Sequence, residues 1–257
     1  MSVRFEKQGN VGIITLDREE KLNAMSEEMY QLLHHHFTET LPNDEDIRAV
    51  VLTGAGRAFC AGGDVTNMAN TDVVAGRPRS KRRHRMIKAM ADFEKPVIAA
   101  VRGPVVGIGT SLAMVCDITI ASETAYYMFA FRKMGVVPDG GAIFFLTQTL
   151  GIQRAKELAF TARKLPATEA LAYGMCCKVV PDADLEAEAM ALATEMAQSA
   201  TFALQITKKM FSSMYQPSLD SLLELEALAS ASARQTHDHK EAVTAFREKR
   251  KPKYLGR

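Results

Sequence analysis

The stretch Leu52-Thr53-Gly54-Ala55-Gly56-Arg57-Ala58-Phe59-Cys60-Ala61-Gly62-Gly63-Asp64 runs from an apolar strand into a loop with four glycines. Glycine lets a backbone come close to a ligand and turn its N–H groups toward it. The design recurs in Lys95-Pro96-Val97-Ile98-Ala99-Ala100-Val101-Arg102-Gly103-Pro104-Val105-Val106-Gly107-Ile108-Gly109-Thr110-Ser111, where a helix is expected to begin near Gly109. The first N–H groups of a helix have no intrahelical acceptor and carry the positive end of the dipole behind them. Two such loops can aim two N–H groups at one oxygen. The Gly54-x-Gly56 pair is not a dinucleotide fingerprint: the third glycine is missing, and Phe59-Cys60-Ala61 stands where the helix should start.

Around these loops the chain alternates strands and helices, which predicts an α/β fold. Strands are expected at 12–16, 49–53, 97–101, 118–121 and 178–180, the second and third apolar enough for burial on both faces. A helix is expected over 26–41, capped by Ser26, with Met29, Leu32, Leu33, His36 and Phe37 at helical spacing. From about Asp182 onward only helical periods remain: Leu185, Ala189, Leu192 and Met196, then Leu222, Leu225 and Leu228. The expected division is a core over 1–195 bearing the active site and a helical oligomerisation region over 196–257.

Length and composition narrow the function classes. A chain of 257 residues, 47% hydrophobic and 24% charged, reads as a soluble globular protein and excludes fibrous or disordered chains. The 32 basic and 30 acidic residues leave a net charge of +2, so nucleic acid is not an expected partner. No window reaches the ~18 consecutive apolar residues of a membrane span, and the start, MSVRFEKQGN, has no apolar signal core. The four cysteines, at 60, 116, 176 and 177, have neither C-x-x-C spacing nor a disulfide framework. A cytoplasmic protein without a membrane or metal partner is the expectation. One local imbalance stands out: Arg77, Arg79, Lys81, Arg82, Arg83, Arg85 and Lys88 occur with no acid among them, either as a solvated helix face or as a phosphate-binding patch.

Taken in order, FCAGGD, PVIAAVRGPVVGIG, LAMVCDITIAS, GVVPDGG and AFREKRKPKY resemble the enoyl-CoA hydratase/isomerase (crotonase) superfamily from about Gly12 to Tyr254. The resemblance implies a spiral of ββα turns followed by a helical region that assembles trimers or dimers of trimers. It also implies an acyl-CoA thioester substrate, with coenzyme A part of that substrate and no further cofactor. The oxyanion donors it implies are the N–H groups of Gly63 and Ile108. Substrate contacts are implied at Leu22, Ala24, Ala61, Asp64, Val65, Val106 and Phe131, and at Phe246 and Lys249 in a tail that reaches coenzyme A on an adjacent subunit.

The acid–base residue decides the reaction. Hydratases of this kind use two glutamates, and the matching positions here hold Ser111 and Phe131, neither of which is a carboxylate. The resemblance places an aspartate of several isomerase branches at Asp139. Its neighbours Phe129, Phe131, Met134, Val136, Val137, Phe144 and Phe145 are expected to form an apolar wall that disfavours the charged form. Asp139 can equally begin a turn or cap the helix entered at Gly140. The expectation is an enoyl-CoA isomerase; a hydratase with an unusual carboxylate, or a silent acyl-CoA-binding protein, are the alternatives. Other candidates are bland: Gly109-Thr110-Ser111-Leu112-Ala113 lacks the last glycine of a nucleophile elbow. His34, His35 and His36 point different ways around a helix. Cys60 reads as packing, and Asp64 and Asp117 as loop or helix-end residues.

Overall fold

The computed structural model describes residues 2–64, 73–213 and 236–256, the side chains of 73–79, 212–213 and 246–247 excepted. Strands β1 (Val3–Gln8) and β2 (Val11–Leu16) form an antiparallel hairpin. Helices α1 (Glu27–His35) and α2 (Leu41–Asn43) follow, joined by a π-helical turn at His36–Thr40. Next come β3 (Ala49–Gly54), α3 (Val73–Asp92), β4 (Val97–Val101), β5 (Pro104–Val106), α4 (Ile108–Val115), β6 (Ile118–Ser122) and β7 (Tyr126–Met128). Helices α5 (Ala142–Leu150) and α6 (Ile152–Thr161), strand β8 (Leu165–Pro166), α7 (Ala167–Ala172) and β9 (Lys178–Val180) complete the strand-bearing part. Beyond it lie α8 (Leu185–Ala197), α9 (Thr201–Ser213) and α10 (His237–Glu248). The leucines at 222, 225 and 228 lie outside the described residues.

The main sheet has the order β1-β2-β3-β4-β6-β9, parallel from β2 onward, and a small sheet pairs β5, β7 and β8. Its central strands are largely apolar because each face meets a different core. Val50, Leu52, Ala99 and Val101 point into the larger core with Met29, Leu33, Phe59, Met86 and Leu112. Ala49, Val51, Ile98 and Ala100 point the other way, against Leu185, Ala189, Ala193 and Ala197 of α8. That four-residue spacing gives α8 one narrow face of mostly small residues, which seats it on the sheet.

Two expectations change in detail. The helix over 26–41 is interrupted, because the turn at His36–Thr40 winds wide; Ser26 nevertheless caps its start, with its hydroxyl accepting from Met29 N at 3.3 Å. Of the three histidines, His36 sets its ring 5.6 Å from that of Phe5, tilted by 35°, and burial pulls its pKa below the usual histidine value. The C-terminal residues are tied back to the fold by polar locks. Arg48 donates to Thr201 Oγ1 and Ser199 O, and buried Asp238 accepts from the N–H groups of Leu255 and Gly256. No helix among the described residues is long and apolar enough to cross a membrane.

The α8 seat is open to test. Ala193→Leu adds bulk where the helix lies on β3 and β4, and overpacking of this kind costs about 1–3 kcal/mol. The expected outcome is a lower urea midpoint with an unchanged m-value.

Candidate active site

The site begins with a contact between two loops. Leaving β3, the chain reaches Cys60, whose N–H donates to Pro104 O at 3.0 Å, while Val106 N donates to Cys60 O at 2.9 Å. This is a one-residue parallel bridge between Cys60 and Val105. Three residues further along each loop stand Gly63 and Ile108, so the bridge brings both into the same neighbourhood. Gly62 and Gly107 lie back to back there, with Gly62 Cα 3.8 Å from where a Gly107 Cβ would be.

Neither the Gly63 nor the Ile108 N–H donates within the described residues. Gly63 sits at a parallel bridge to Met25 whose bonds run through its neighbours: Met25 N to Gly62 O at 2.8 Å and Asp64 N to Met25 O at 3.0 Å. Ile108 is the first residue of α4, where the N–H is unmatched by construction. Gly107 enters that helix with φ +55°, a conformation L side chains rarely adopt. Gly109 allows the approach itself, since a Cβ there would lie 2.6 Å from Cys60 O.

The 22–25 segment braces the first loop. Leu22 and Asn23 both take positive φ, which turns the Leu22 carbonyl toward Ala61 N at 2.9 Å. Buried Asn23 spans the neighbouring turn, accepting from Arg18 N and donating to Ala55 O and Ala58 O. Arg18 ties the pieces together, donating to Ala24 O at 2.7 Å and to Asp64 Oδ2 at 2.9 Å. Leu22, Ala24, Ala61, Asp64 and Val106 therefore share one structural unit, in which Asp64 is an ion-pair partner of Arg18. Arg18 and Asn23 had no separate signal in the sequence, because their partners lie across the fold. Cys60 is fully buried, and burial pushes its thiol up to about 12, as expected of a packing residue.

Asp139 approaches from the turn before α5. Ser111 Oγ on α4 donates to the Asp139 carbonyl at 3.1 Å, and a Cβ on Gly140 would lie 2.2 Å from Ile108 Cδ1. Asp139 also performs the turn role its sequence allows, its Oδ1 accepting from Gly140 N at 2.8 Å and its carbonyl from Ala142 N at 3.2 Å. The apolar wall expected around it is only half built within the chain. Phe129 is buried and Phe131 and Phe145 partly so, but Met134, Val136, Val137 and Phe144 are exposed, Val137 at 79%. The closest side chain is polar: His84 Nε2 on α3 lies 2.5 Å from Asp139 Oδ1. Nothing local in the sequence announced this pair, which spans 55 positions.

A groove of about 1070 Å³ opens beside this turn, touching the site at His84 and Gly140 and running between α3, α5 and α9 past Ile87, Phe144, Phe145 and Phe211. Chemically, the arrangement offers two N–H groups without an acceptor among the described residues on neighbouring loops, a turn carrying a carboxylate packed on the second of them, and an adjoining apolar space. That is equipment for stabilising an oxyanion while a proton moves on a neighbouring carbon.

Residues 6–257 match the family model described as enoyl-CoA hydratase/isomerase. The chain belongs to the enoyl-CoA hydratase/isomerase family. It is 35% identical to a short-chain-enoyl-CoA hydratase of Clostridium acetobutylicum, covering 97% of this chain and 96% of that one. It is 37% identical to a 1,2-epoxyphenylacetyl-CoA isomerase of Escherichia coli, covering 95% and 94%. The solved enoyl-CoA hydratase of Bacillus anthracis superposes over the whole of both chains with a TM-score of 0.95 at 32% identity. The fold is thus the crotonase fold.

The remaining expected contacts are dispersed. Val65 and the side chain of Phe246 lie outside the described residues. Lys249 stands exposed just past α10, and among the described residues no hydrogen bond or ion pair joins it to either loop. Within the basic run, Arg82 and Arg83 reach Glu27 at 3.0 and 4.0 Å, Arg83 lies 5.0 Å over the Tyr30 ring, and Lys88 pairs with Asp92. Lys81 and Arg85 remain on the exposed face; the side chains of Arg77 and Arg79 lie outside the described residues.

The loop contact is testable through Gly109. Gly109→Ala forces the α4 start away from Cys60, and loss of one oxyanion donor typically costs about 10²–10³ in kcat. A fall of that order in acyl-CoA turnover is expected, with far-UV circular dichroism unchanged.

Proposed function

We propose that this member of the family is an enoyl-CoA isomerase, with Gly63 and Ile108 as oxyanion donors and Asp139 as the proton shuttle. The observation that carries the reading is the packing of the Asp139–Gly140 turn against the start of α4, while the two positions matching hydratase glutamates hold Ser111 and Phe131. Ser111 is buried and spends its hydroxyl on the Asp139 backbone. Phe131 packs against the larger core.

In the proposed reaction a 3-enoyl thioester oxygen accepts from both N–H groups. Asp139 takes a proton from the α carbon; the C–H electron pair moves into the chain and charge builds on the thioester oxygen. Each preorganised donor is worth about 3–4 kcal/mol at this point. The protonated Asp139 then returns a proton to the γ carbon, and the double bond comes to rest in conjugation with the carbonyl. One carboxylate suffices, and neither a metal nor a redox cofactor is required. The groove beyond Gly140 is the proposed place for the acyl group.

Most of the similar proteins carry hydratase names, which favours a second reading in which the same carboxylate activates water. The deciding experiment supplies a 3-enoyl-CoA and follows conjugated 2-enoyl-CoA, with crotonyl-CoA hydration measured alongside. Isomerisation is expected to exceed hydration, and Asp139→Asn to lower it by about 10²–10⁴, the usual contribution of a positioned acid–base group. Full turnover by Asp139→Asn sinks the mechanism, and neither activity with intact acyl-CoA binding points to a silent homologue.

Two further parts of the reading concern the rest of the chain. Coenzyme A phosphates are proposed to meet the exposed face of α3. Lys81→Glu with Arg85→Glu is then expected to raise KM for an acyl-CoA several-fold while kcat holds; an unchanged KM removes the patch from the site. The region 196–257 is proposed to assemble trimers or dimers of trimers around the 1–195 core. Exposed Ile143, Phe144, Ile152 and Phe160 on α5 and α6 supply apolar surface for such contacts.

A further inference from the structure

The two oxygens of Asp139 are not equivalent. Oδ1 accepts from Gly140 N at 2.8 Å and lies 2.5 Å from His84 Nε2, whereas Oδ2 has no hydrogen-bond partner among the described residues. One oxygen is therefore anchored and the other left for a substrate proton. The two partners also differ in exposure. The His84 side chain is 53% exposed and lines the groove, against 27% for Asp139.

Imidazole can accept a proton at one ring nitrogen and release one from the other. With Nε2 turned to Asp139, Nδ1 makes no hydrogen bond among the described residues and is left to water. Most charged groups around His84 are engaged elsewhere, Lys208 with Asp117 across the groove among them. On its own helix, Arg83 lies over Tyr30 near Glu27, and Lys88 pairs with Asp92, while Arg85 is exposed. From α1, burial pushes the Tyr30 phenol up despite the nearby Arg83, so Tyr30 holds its proton. The α5 side contributes Gly141, Phe144 and Phe145, which carry no titratable group.

We propose that His84 is the relay partner of Asp139, exchanging with water the proton that Asp139 removes from the acyl chain before it is returned to carbon. The inference rests on the proton-shuttle reading of Asp139. The α C–H bond breaks, its proton goes to Asp139 Oδ2, and its electron pair is held as the enolate at the thioester oxygen. Once Asp139 is protonated, the ring proton of His84 passes by way of water from Nε2 to Nδ1; a half-turn of the carboxyl about Cβ–Cγ then brings the acid proton to the freed Nε2 as Nδ1 gives one to water. The ring next exchanges its Nε2 proton with water by the same tautomer change, and Nε2 returns that solvent-derived proton to Asp139 as Nδ1 takes one up; Asp139 delivers it to the γ carbon. Charge and proton count balance, and water is the only other participant. His84 acts through Asp139 and is a positioning and relay residue.

The test runs the full-length protein in D2O. With a 3-enoyl-CoA, the wild type is expected to place solvent deuterium at the γ carbon in most turnovers. His84→Gln retains an N–H for Oδ1 but cannot pass a proton through, so deuterium per turnover is expected to fall by about fivefold or more with KM nearly unchanged. Equal deuterium in the two proteins, or none in the wild type, overturns the relay.

Exchange of the α protons of butyryl-CoA into D2O gives a second reading that needs no double-bond shift. If the wild type does not isomerise a 3-enoyl-CoA, the isomerase assignment fails, and this exchange still decides the relay: His84→Gln exchanging as fast as wild type overturns it. The pair itself is read by proton NMR, as a downfield His84 Nε2–H signal expected in the wild type and lost in both His84→Gln and Asp139→Asn. Its persistence in Asp139→Asn also counts against the proposal.

Discussion

Everything at the site depends on the parallel backbone contact of Cys60 with Val105. Two hydrogen bonds fix the relative register of loops that leave β3 and β4 separately, and that register decides where the Gly63 and Ile108 N–H groups stand. Side chains then serve the backbone. Asn23 and Arg18 hold the first loop against the 22–25 segment, Gly109 leaves space for the Cys60 carbonyl, and Ser111 binds the turn that carries Asp139. An unpaired N–H in a protein interior is unfavourable. Among the described residues neither the Gly63 nor the Ile108 N–H has an acceptor, and the bridge brings the two loops that carry them together.

Much of the fold is legible because burial on both faces leaves a plain imprint. β3 and β4 are read almost to the residue, since a strand sandwiched between two cores is apolar almost without alternation. β1 escapes because it is an edge strand whose pattern in Val3–Gln8 is mostly exposed, and β5, β7 and β8 because two or three residues hold no period. The wide turn at His36–Thr40 escapes for another reason: its hydrogen-bond spacing changes while its apolar positions still fit a helix.

The site divides along the same line. Glycine loops and a Pro-Asp-Gly turn are local, and each is visible in a few residues. The brace by Arg18 and the contact between His84 and Asp139 join positions 46 and 55 residues apart, so no window of sequence contains both ends. His84 is hidden further by its setting, a lone histidine in a run of arginines and lysines that reads as a solvated face. The near-neutral chain conceals that basic helix, and the structure shows acids answering it from elsewhere: Glu27 on α1, Asp139 before α5, and Asp92 at its own end.

The donors proposed to polarise the carbonyl belong to the main chain, and this has a consequence for how the family can vary. A codon change cannot delete an amide N–H, short of introducing proline, so the capacity to hold a thioester oxygen is inherited with the fold itself. The proton-moving group is a side chain on a separate turn, replaceable in a single step. On the proposed reading, the side chains at 111, 131 and 139 can change without disturbing the anchorage. On that reading, reaction type is free to drift among descendants while the handle on the substrate stays constant.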